Sequence, residues 1–168
     1  WVREYPIPID ATDLRERAAG EDAARWAQRF QDRHTGRLIV RADRTEPSKN
    51  IVRGFEAFGL MLDRRPDLRD TRFVACLYPS RQSMPEYQRY AEGIERVVAV
   101  VNERHPDSIE LFMKDDFDRT LGALSLYDVL LVNPIMDGMN LVAKEGPTLN
   151  QTDGVLVLST GAGAYEEL

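Results

Sequence analysis

Three features that would each indicate a particular class of protein are rare or missing in this sequence: cysteines, long apolar runs and an excess of basic residues. Its 168 residues include one cysteine, Cys76, which excludes an internal disulfide and a cysteine-ligated zinc site. No run of about 18 apolar residues occurs, so no segment resembles a membrane-spanning helix. Basic residues are in the minority, 22 against 28 acidic ones, and the net charge is -6. This balance argues against nucleic acid or an anionic membrane as the main partner, but a few local cations can still bind a small anion.

Short signatures of common catalytic classes are also absent. The sequence contains no Gly-x-x-x-x-Gly-Lys-Ser/Thr phosphate loop and no His-Glu-x-x-His zinc motif. Its two histidines, His34 and His105, fall at the ends of predicted helices without a neighbouring nucleophile, so we expect structural roles for both. Any chemistry must therefore reside in loops that lack these signatures.

The sequence does contain a regular alternation of apolar runs and amphipathic segments. The predicted strands are residues 37–41, 73–78, 109–113, 129–132 and 155–158. The predicted helices are residues 21–34, 50–64, 85–104, 117–127 and 139–149. Strands without polar alternation, separated by helices, indicate a parallel sheet covered on both faces. The predicted fold class is therefore α/β, with a Rossmann-like, doubly wound parallel sheet.

The length of the chain suits one domain with one core. We expect this domain to span residues 18–168, and residues 1–17 to be a linker segment that enters it. Two prolines between Tyr5 and Asp10 predict an extended start to that segment. The sequence begins with a tryptophan and ends shortly after a glycine-rich turn, from which we expect a fragment of a longer protein.

In a doubly wound sheet, ligands bind outside the carboxyl ends of the strands. The first loop at that edge, residues 42–50, carries Arg44 and Lys49 between a strand and a helix. Two such cations can clamp a diphosphate through charge-assisted hydrogen bonds. The alternative is a solvated loop in which these cations pair with Asp43 and Glu46.

The second loop, residues 133–145, joins a strand to a helix predicted to open after Gly138. Free N–H groups at a helix start can receive a phosphate. Asp137 stands before them, where its carboxylate can accept hydrogen bonds from sugar hydroxyls, and Glu145 lies at a distance suited to ribose hydroxyls. The alternative is that Asp137 only caps the helix and that Glu145 pairs with solvent or a neighbouring cation.

The third loop, residues 159–164, contains Gly161 and Gly163. Glycines at this edge of a sheet would let the backbone approach a ligand closely. A lone Gly-x-Gly is a weak signal, and it lacks the spacing of the dinucleotide-binding fingerprint. An ordinary turn is the favoured interpretation of this loop.

One stretch is specific enough to indicate a family. The run Asp137-Gly-Met-Asn-Leu-Val-Ala-Lys-Glu145 resembles the signature of the trehalose-6-phosphate synthases, which are retaining glycosyltransferases of glycosyltransferase family 20 with the GT-B fold. The resemblance covers nearly the whole chain. It extends to Tyr5-Pro-Ile-Pro-Ile-Asp10, Arg44-Thr-Glu-Pro-Ser-Lys-Asn50, Phe117-Asp-Arg119 and Ala162-Gly-Ala164. It implies that the domain is the C-terminal, donor-binding half of a GT-B glycosyltransferase.

The resemblance also implies roles for the loop residues. Arg44 and Lys49 would bind the donor's diphosphate, Asp137 would hold the donor sugar, and these three are the candidate catalytic residues. Glu145 would bind the ribose. Contacts to the sugar and phosphates would come from the segment Gly138, Met139, Asn140, Leu141 and Val142. No cofactor and no metal are implied, since the activated donor, a UDP, GDP or ADP derivative, is a substrate.

The sequence departs from the family pattern around the donor sugar. Glu46 and Pro47 stand where the family has Asp and Tyr, Asn50 replaces its Gly, and Met136 replaces the Arg before Asp-Gly-Met-Asn. These departures make a second branch a serious candidate: the validoxylamine 7'-phosphate synthases, pseudo-glycosyltransferases that join a nucleotide-activated cyclitol to an amino-cyclitol phosphate through a C–N bond. A third hypothesis is a non-catalytic nucleotide-binding module, against which the retained loop residues argue.

The resemblance finally implies partners. The acceptor would be a phosphorylated sugar or cyclitol, bound mainly by an N-terminal domain of the same enzyme that this chain lacks. We therefore expect the isolated chain to bind a nucleotide-activated sugar or cyclitol without turning it over. We further expect a cytoplasmic protein with no nucleic acid and no membrane as partner. The sequence leaves the oligomeric state open, and a homo-oligomer is among the options.

Overall fold

The computed structural model describes residues 6–168. Tyr5 and the rest of residues 1–5 of the predicted linker lie outside this range. Within the remainder of that linker, a helix begins after Asp10, whose carboxylate accepts hydrogen bonds of 3.0 Å from the backbone N–H groups of Thr12 and Asp13. Its Leu14 is buried in the core of the domain. The segment therefore packs on the domain, while its role as a linker stays a prediction.

The five strands form a single parallel sheet. They are β1 (Leu38–Arg44), β2 (Arg72–Tyr78), β3 (Ile109–Phe112), β4 (Val129–Val132) and β5 (Val155–Leu158). Their order across the sheet is β3-β2-β1-β4-β5. The chain thus builds outward from β1 in one direction, then crosses back to β4 and continues in the other. This arrangement confirms the predicted Rossmann-like α/β fold.

Within residues 6–168, six helices connect and cover these strands. They are α1 (Ala11–Ala18), α2 (Glu21–Arg33), α3 (Ile51–Arg64), α4 (Pro85–Arg104), α5 (Phe117–Leu124) and α6 (Val142–Leu149). Short 3₁₀ turns lie at Pro47–Lys49, Pro66–Leu68 and Gly163–Glu166. Within residues 6–168, none of these helices combines the length and apolarity that a membrane crossing needs.

Hydrophobic side chains fill both sides of the sheet. On one side, Val40 and Val74 pack with residues of α1, α2, α5 and α6. On the other side, Phe73 and Leu77 pack with residues of α3 and α4. Burial on both faces explains why the strands read as continuous apolar runs. The carboxyl ends of β1 and β4, which are neighbours at the switch in strand order, are left to the loops.

Two predicted boundaries near that edge were wrong. Strand β1 ends at Arg44 rather than at residue 41, and it pairs with β2 as far as Tyr78. Its polar residues continue the strand because they bond to each other and to the next loop. Helix α6 begins at Val142 rather than at residue 139, since Asn140 has a left-handed backbone, with φ of 64°, which a right-handed helix cannot include.

Candidate functional site

Strand β1 and the 3₁₀ turn that follows it place three charged side chains in the interior. Arg41 is fully buried, and its Nε donates a hydrogen bond of 2.8 Å to Oδ2 of Asp43. Its Nη2 donates to the backbone carbonyl of Lys49 in the following 3₁₀ turn. Lys49 in turn lies with its Nζ 3.7 Å from Oδ1 of Asp43. The strand and the loop that follows it are therefore joined by a buried chain of charges.

This chain of charges continues into the loop after β4. The ammonium of Lys49 donates to Oδ2 of Asp137, and Asn140 donates to the same oxygen from its Nδ2 at 2.9 Å. Two further hydrogen bonds join the two loops, one donated by a side-chain amide and one by a backbone N–H. Asn50 donates to the carbonyl of Asn133 at 3.2 Å, and the Ile135 N–H donates to the carbonyl of Ser48 at 2.8 Å. Residues from two predicted loops thus meet at one point.

Burial and pairing act on the carboxyl groups in opposite directions. Burial raises the pKa of Asp43, and the charges of Arg41 and Lys49 oppose this without cancelling it. Burial also raises the pKa of Asp137, but the hydrogen bond and charge of Lys49, with the Asn140 bond, outweigh it and hold that pKa below its ordinary value. Asp137 is therefore the carboxylate kept ionised at this edge, ready to accept hydrogen bonds from a ligand.

The two cations of the predicted diphosphate clamp differ in their surroundings. The Lys49 side chain is 10% exposed, whereas that of Arg44 is 62% exposed. Arg44 forms an ion pair of 3.2 Å with Glu46, and Glu46 also accepts a bond of 2.9 Å from the Ser80 hydroxyl. Both cations therefore have the acidic neighbours that the alternative interpretation of this loop named. Arg44 remains free to turn away from Glu46, because most of its side chain is in solvent.

The segment between β4 and α6 presents its backbone to the surface. Asn140, and not Asp137, bonds to the first turn of α6, since its Oδ1 accepts from the Ala143 N–H at 3.1 Å. The alternative in which Asp137 only caps α6 is therefore wrong. A side chain at Gly138 would meet nothing within 4 Å, so this residue leaves bare backbone facing open space. Within residues 6–168, the N–H groups of Asn140, Leu141 and Val142 donate no hydrogen bond to a backbone carbonyl outside the helices and strands.

Glu145 closes one side of a cleft beside this segment. The cleft has a volume of about 160 Å³. It is lined by Ala42, Asp43, Arg44, Lys49, Tyr78, Asn140, Leu141, Val142 and Glu145. Burial raises the pKa of Glu145, and no salt bridge to this residue occurs in the described part of the chain. Its carboxyl group is thus a partly desolvated acceptor without a cation of its own.

A second cleft of about 490 Å³ lies on the other side of Asp137. Its walls include Asp137, Gly138 and Met139 of the second loop and residues 160–163 of the third. A side chain at Gly161 would collide with the carbonyl of Ile135, and one at Gly163 with that of Gly138. These glycines let the third loop lie against the second, which is a structural reason for both. Lys49 lines the first cleft and Asp137 the second, so this ion pair joins the two clefts.

The predicted site residues therefore fall in one region. Arg44, Lys49 and Glu145 line the first cleft, Gly138 and Met139 line the second, and Asp137 joins them through Lys49. Across residues 6–168, no group of three or more His, Cys, Asp and Glu side chains is arranged to hold a metal ion. The roles assigned to the individual residues stay predictions.

Sequence reasoning missed three side chains of the site. In the sequence, Arg41 ends the apolar run 37–41, and the charged residues that follow it are the signal of a buried ion pair. Tyr78 ends β2 beside the first cleft, where its hydroxyl bonds to Thr120 and burial raises its pKa to about 12. The side-chain amide of Asn140 bonds both Asp137 and the Ala143 N–H, and no local sequence pattern signals these contacts.

Known proteins resemble this chain along its whole length. The model of the family described as glycosyltransferase family 20 matches residues 1–168. A trehalose-6-phosphate synthase of Mycobacterium sp. (strain JLS) is 33% identical over 99% of this chain and 36% of that protein. A validamine 7-phosphate valienyltransferase of Streptomyces hygroscopicus subsp. jinggangensis (strain 5008) is 32% identical over 97% of this chain and 31% of that protein. The chain thus spans about a third of the length of these curated relatives.

A solved structure gives the same picture in three dimensions. The structure described as trehalose-6-phosphate from E. coli bound with UDP-2-fluoro glucose superposes with a TM-score of 0.89 and 29% identity. The match covers 97% of this chain and 38% of the E. coli chain. The similarity in sequence and the similarity in fold therefore point to the same group of proteins.

Proposed function

The chain belongs to glycosyltransferase family 20, and from this premise we propose that it is the donor-binding domain of a retaining glycosyltransferase. The enzyme would transfer a nucleotide-activated sugar to a phosphorylated sugar. The observation that carries the proposal is the Lys49–Asp137 pair, which brings a cation for the diphosphate and a carboxylate for the sugar to one point between two clefts. A diphosphate-linked donor needs both groups close together.

The leaving diphosphate gains negative charge as its bond to the sugar breaks. Lys49 would receive part of that charge from its fixed, buried position, where a charge-assisted hydrogen bond is strengthened by the low exposure of the site. Arg44 would add a second cation after its side chain turns away from Glu46. Backbone N–H groups of Asn140, Leu141 and Val142 would bind the phosphate oxygens beside them.

The two carboxyl groups would hold the hydroxyls of the donor. Asp137, kept ionised by Lys49, would accept hydrogen bonds from the sugar. Glu145 would accept from the ribose hydroxyls, which would replace the water that this carboxyl has lost through burial. Together these contacts would fix the donor at both ends of its diphosphate. The acceptor oxygen would bond to the anomeric carbon on the same face from which the diphosphate leaves, and the departing phosphate would take the acceptor's proton. The transfer would then need no nucleophile from the enzyme.

The acceptor would come from another part of a longer protein. The curated relatives are about three times as long as this chain, which supports a second, N-terminal domain that binds the phosphorylated acceptor. In this proposal residues 18–168 hold the donor, and residues 1–17 lead into them. No metal or cofactor takes part. The cytoplasmic location remains a prediction from the sequence.

A second candidate is the transfer of an activated cyclitol with formation of a C–N bond. It is favoured by the similarity to a validamine 7-phosphate valienyltransferase, which is 32% identical to this chain and so matches it about as well as the synthase does. Glu46 also supports it, because it holds Arg44 and Ser80 at the edge of the donor site where the family has a different residue. The diphosphate contacts are shared by both candidates, and the transferred ring differs.

Calorimetric titration of the chain with UDP, GDP and ADP tests the donor site. We expect saturable binding of one of the three nucleotides, and loss of that binding in the double variant Arg44→Ala, Lys49→Ala. The matched control is Arg65→Ala, which removes an exposed cation paired with Asp67 far from the clefts. Failure of the folded wild-type chain to bind any of the three nucleotides would contradict the proposal and favour a non-catalytic module.

The transferred group is identified with the longer protein. Mass spectrometry of products from a nucleotide-sugar with a sugar phosphate, and from a nucleotide-cyclitol with an amino-cyclitol phosphate, separates C–O from C–N bond formation. We expect the isolated chain to yield neither product, because the acceptor site lies outside it. Turnover by the isolated chain would contradict the proposal that the donor and the acceptor bind to different domains.

A further inference from the structure

Arg41 is the largest fully buried side chain of the domain, and its charge is unusual for a central strand. A buried charge is costly unless it is paired and hydrogen-bonded. Its Nε donates a hydrogen bond of 2.8 Å to the carboxylate of Asp43, and its Nη2 donates one to the backbone carbonyl of Lys49. The same guanidinium thus contacts both the carboxylate beside Lys49 and the backbone that carries Lys49.

A glycine on the next helix makes room for this guanidinium. A Cβ at Gly54 of α3 would stand 2.6 Å from Nη1 of Arg41, closer than such atoms approach in proteins. The same Cβ would be 3.6 Å from Oδ1 of Asn133. Nη1 of Arg41 and this amide oxygen are both buried, and neither has a hydrogen-bond partner in the described residues. The guanidinium is therefore held by two of its three nitrogens and by the space that glycine leaves.

We propose that Arg41 is a positioning residue that sets where the Lys49 ammonium stands between Asp43 and Asp137. The inference rests on the proposed function only for the identity of the ligand, a nucleoside diphosphate. Through the Lys49 carbonyl, Arg41 fixes the 3₁₀ turn from which the lysine side chain extends. Through its bond to Asp43, it supplies that carboxylate with a cation other than Lys49.

The second contact decides where Lys49 points. With Arg41 in place, the ammonium is 3.7 Å from Asp43 and bonds directly to Asp137. Without the guanidinium fork, Asp43 would lose the hydrogen bond that Arg41 Nε donates, and the Lys49 ammonium, 3.7 Å away, would be the nearest donor to replace it. The ammonium would then move toward Asp43 and away from both Asp137 and the diphosphate site. Arg41 acts through Lys49 and does not itself contact the ligand.

Two variants disturb this arrangement from opposite sides. Arg41→Lys keeps the buried positive charge and removes the fork that bonds Asp43 and the Lys49 carbonyl together. Gly54→Ala keeps Arg41 but displaces its guanidinium, because the added methyl group would take the space beside Nη1. The matched control is Gly59→Ala on the same helix, where the added methyl would stand 2.9 Å from Val101 and not near Arg41. Both alanine variants gain the same helix propensity.

The first measurement compares nucleoside diphosphate with nucleoside monophosphate. Each protein is titrated in a calorimeter with UDP, GDP and ADP and with the corresponding monophosphates. We expect Arg41→Lys and Gly54→Ala to lower diphosphate affinity about tenfold while monophosphate affinity changes about twofold or less, as for loss of one charge-assisted contact. Gly59→Ala should leave the ratio unchanged. A purely structural role would alter the folded fraction and leave this ratio as in the wild type.

The second measurement needs no nucleotide. NMR titration of the Asp137 carboxyl should give a low pKa in the wild type, where Lys49 and Asn140 bond to it and Asp43 faces the same ammonium. In Arg41→Lys and Gly54→Ala this pKa should rise toward the ordinary value, because Lys49 has moved to Asp43. An unchanged Asp137 pKa in both folded variants would overturn the proposal about Arg41. Absence of nucleotide binding by the wild type would instead overturn the proposed function, and the NMR result would still decide the role of Arg41.

Discussion

Two groups of charges in this domain resemble each other in composition and differ in what surrounds them. The inner charge cluster consists of Arg41, Asp43, Lys49 and Asp137 at the carboxyl edge of the sheet. The outer charge cluster consists of Arg29, Arg33, His34 and Glu110, where α2 meets the edge strand β3. In both, basic side chains converge on acidic ones that are largely removed from water.

The difference lies in how many segments each cluster joins and what it faces. The inner cluster ties β1, the turn after it and the loop after β4 together, and it opens onto two clefts. In the outer cluster, three basic side chains at the end of one helix pair with a single carboxylate. The side chains of Arg29 and Arg33 are about half exposed. Convergent charge is therefore not by itself a site. The inner cluster differs because it joins three segments at the carboxyl edge of the sheet, where ligands bind in folds of this kind.

The largest effect that separates the two clusters is expected for Lys49→Met. The substitution leaves buried Asp43 and half-buried Asp137 with Arg41 as the one remaining cation of the cluster, and removal of one partner of a buried pair costs about 3 kcal/mol. We expect urea denaturation to show a loss of this size in the free energy of unfolding. Calorimetry should also show that nucleoside diphosphate binding is lost. Wild-type stability in the variant would mean that the inner cluster is no more coupled than a surface ion pair.

The positions of the predicted binding residues could be foreseen, because they follow from the fold. Apolar runs and helical spacing are local signals, and they predicted a parallel sheet whose strand ends meet at one edge. Lys49 and Asp137, which are far apart in sequence, do meet there. The resemblance to a family named the same residues independently.

The interior of the site could not be foreseen, because it depends on contacts between distant residues. Burial of Arg41 requires the absence of a side chain at Gly54, and no local pattern couples these two positions. The start of α6 was predicted too early because the left-handed backbone of Asn140 is stabilised by its own side chain bonding Asp137 and Ala143. Asparagine tolerates this conformation well, but a pattern of apolar spacing does not reveal it.

An intermediate effect is expected for Arg44→Ala, which tests the inner cluster at its exposed rim. The Arg44 side chain is 62% exposed and paired with Glu46, so its removal should change the free energy of unfolding by about 0.5 kcal/mol or less. Diphosphate affinity in the calorimeter should nevertheless fall about tenfold, through loss of one charge-assisted contact. Equal affinity in the variant and the wild type would remove Arg44 from the clamp and leave Lys49 as its cation.

The smallest effect is expected for Arg33→Met in the outer charge cluster, the counterpart of Lys49→Met. The Arg33 side chain is 51% exposed and lies 2.9 Å from Glu110, so solvent screening limits the loss in the free energy of unfolding to about 0.5 kcal/mol. Nucleotide affinity should not change, because neither cleft of the candidate site includes this residue.

The pH dependence of that small loss identifies its cause. Burial raises the pKa of Glu110, but His34, Arg33 and Arg29 together outweigh it and lower that pKa below 4.5. A carboxyl group whose pKa is lower in the folded state contributes stability above its unfolded pKa, and this contribution is lost as the pH falls through the folded pKa. The difference in stability between Arg33→Met and the wild type should therefore be full near neutral pH and vanish in acid, once Glu110 is protonated in both proteins. A difference that persists in acid would show that Arg33 acts through packing of its aliphatic stem. The outer cluster would then be stabilised more by packing than by its ion pairs.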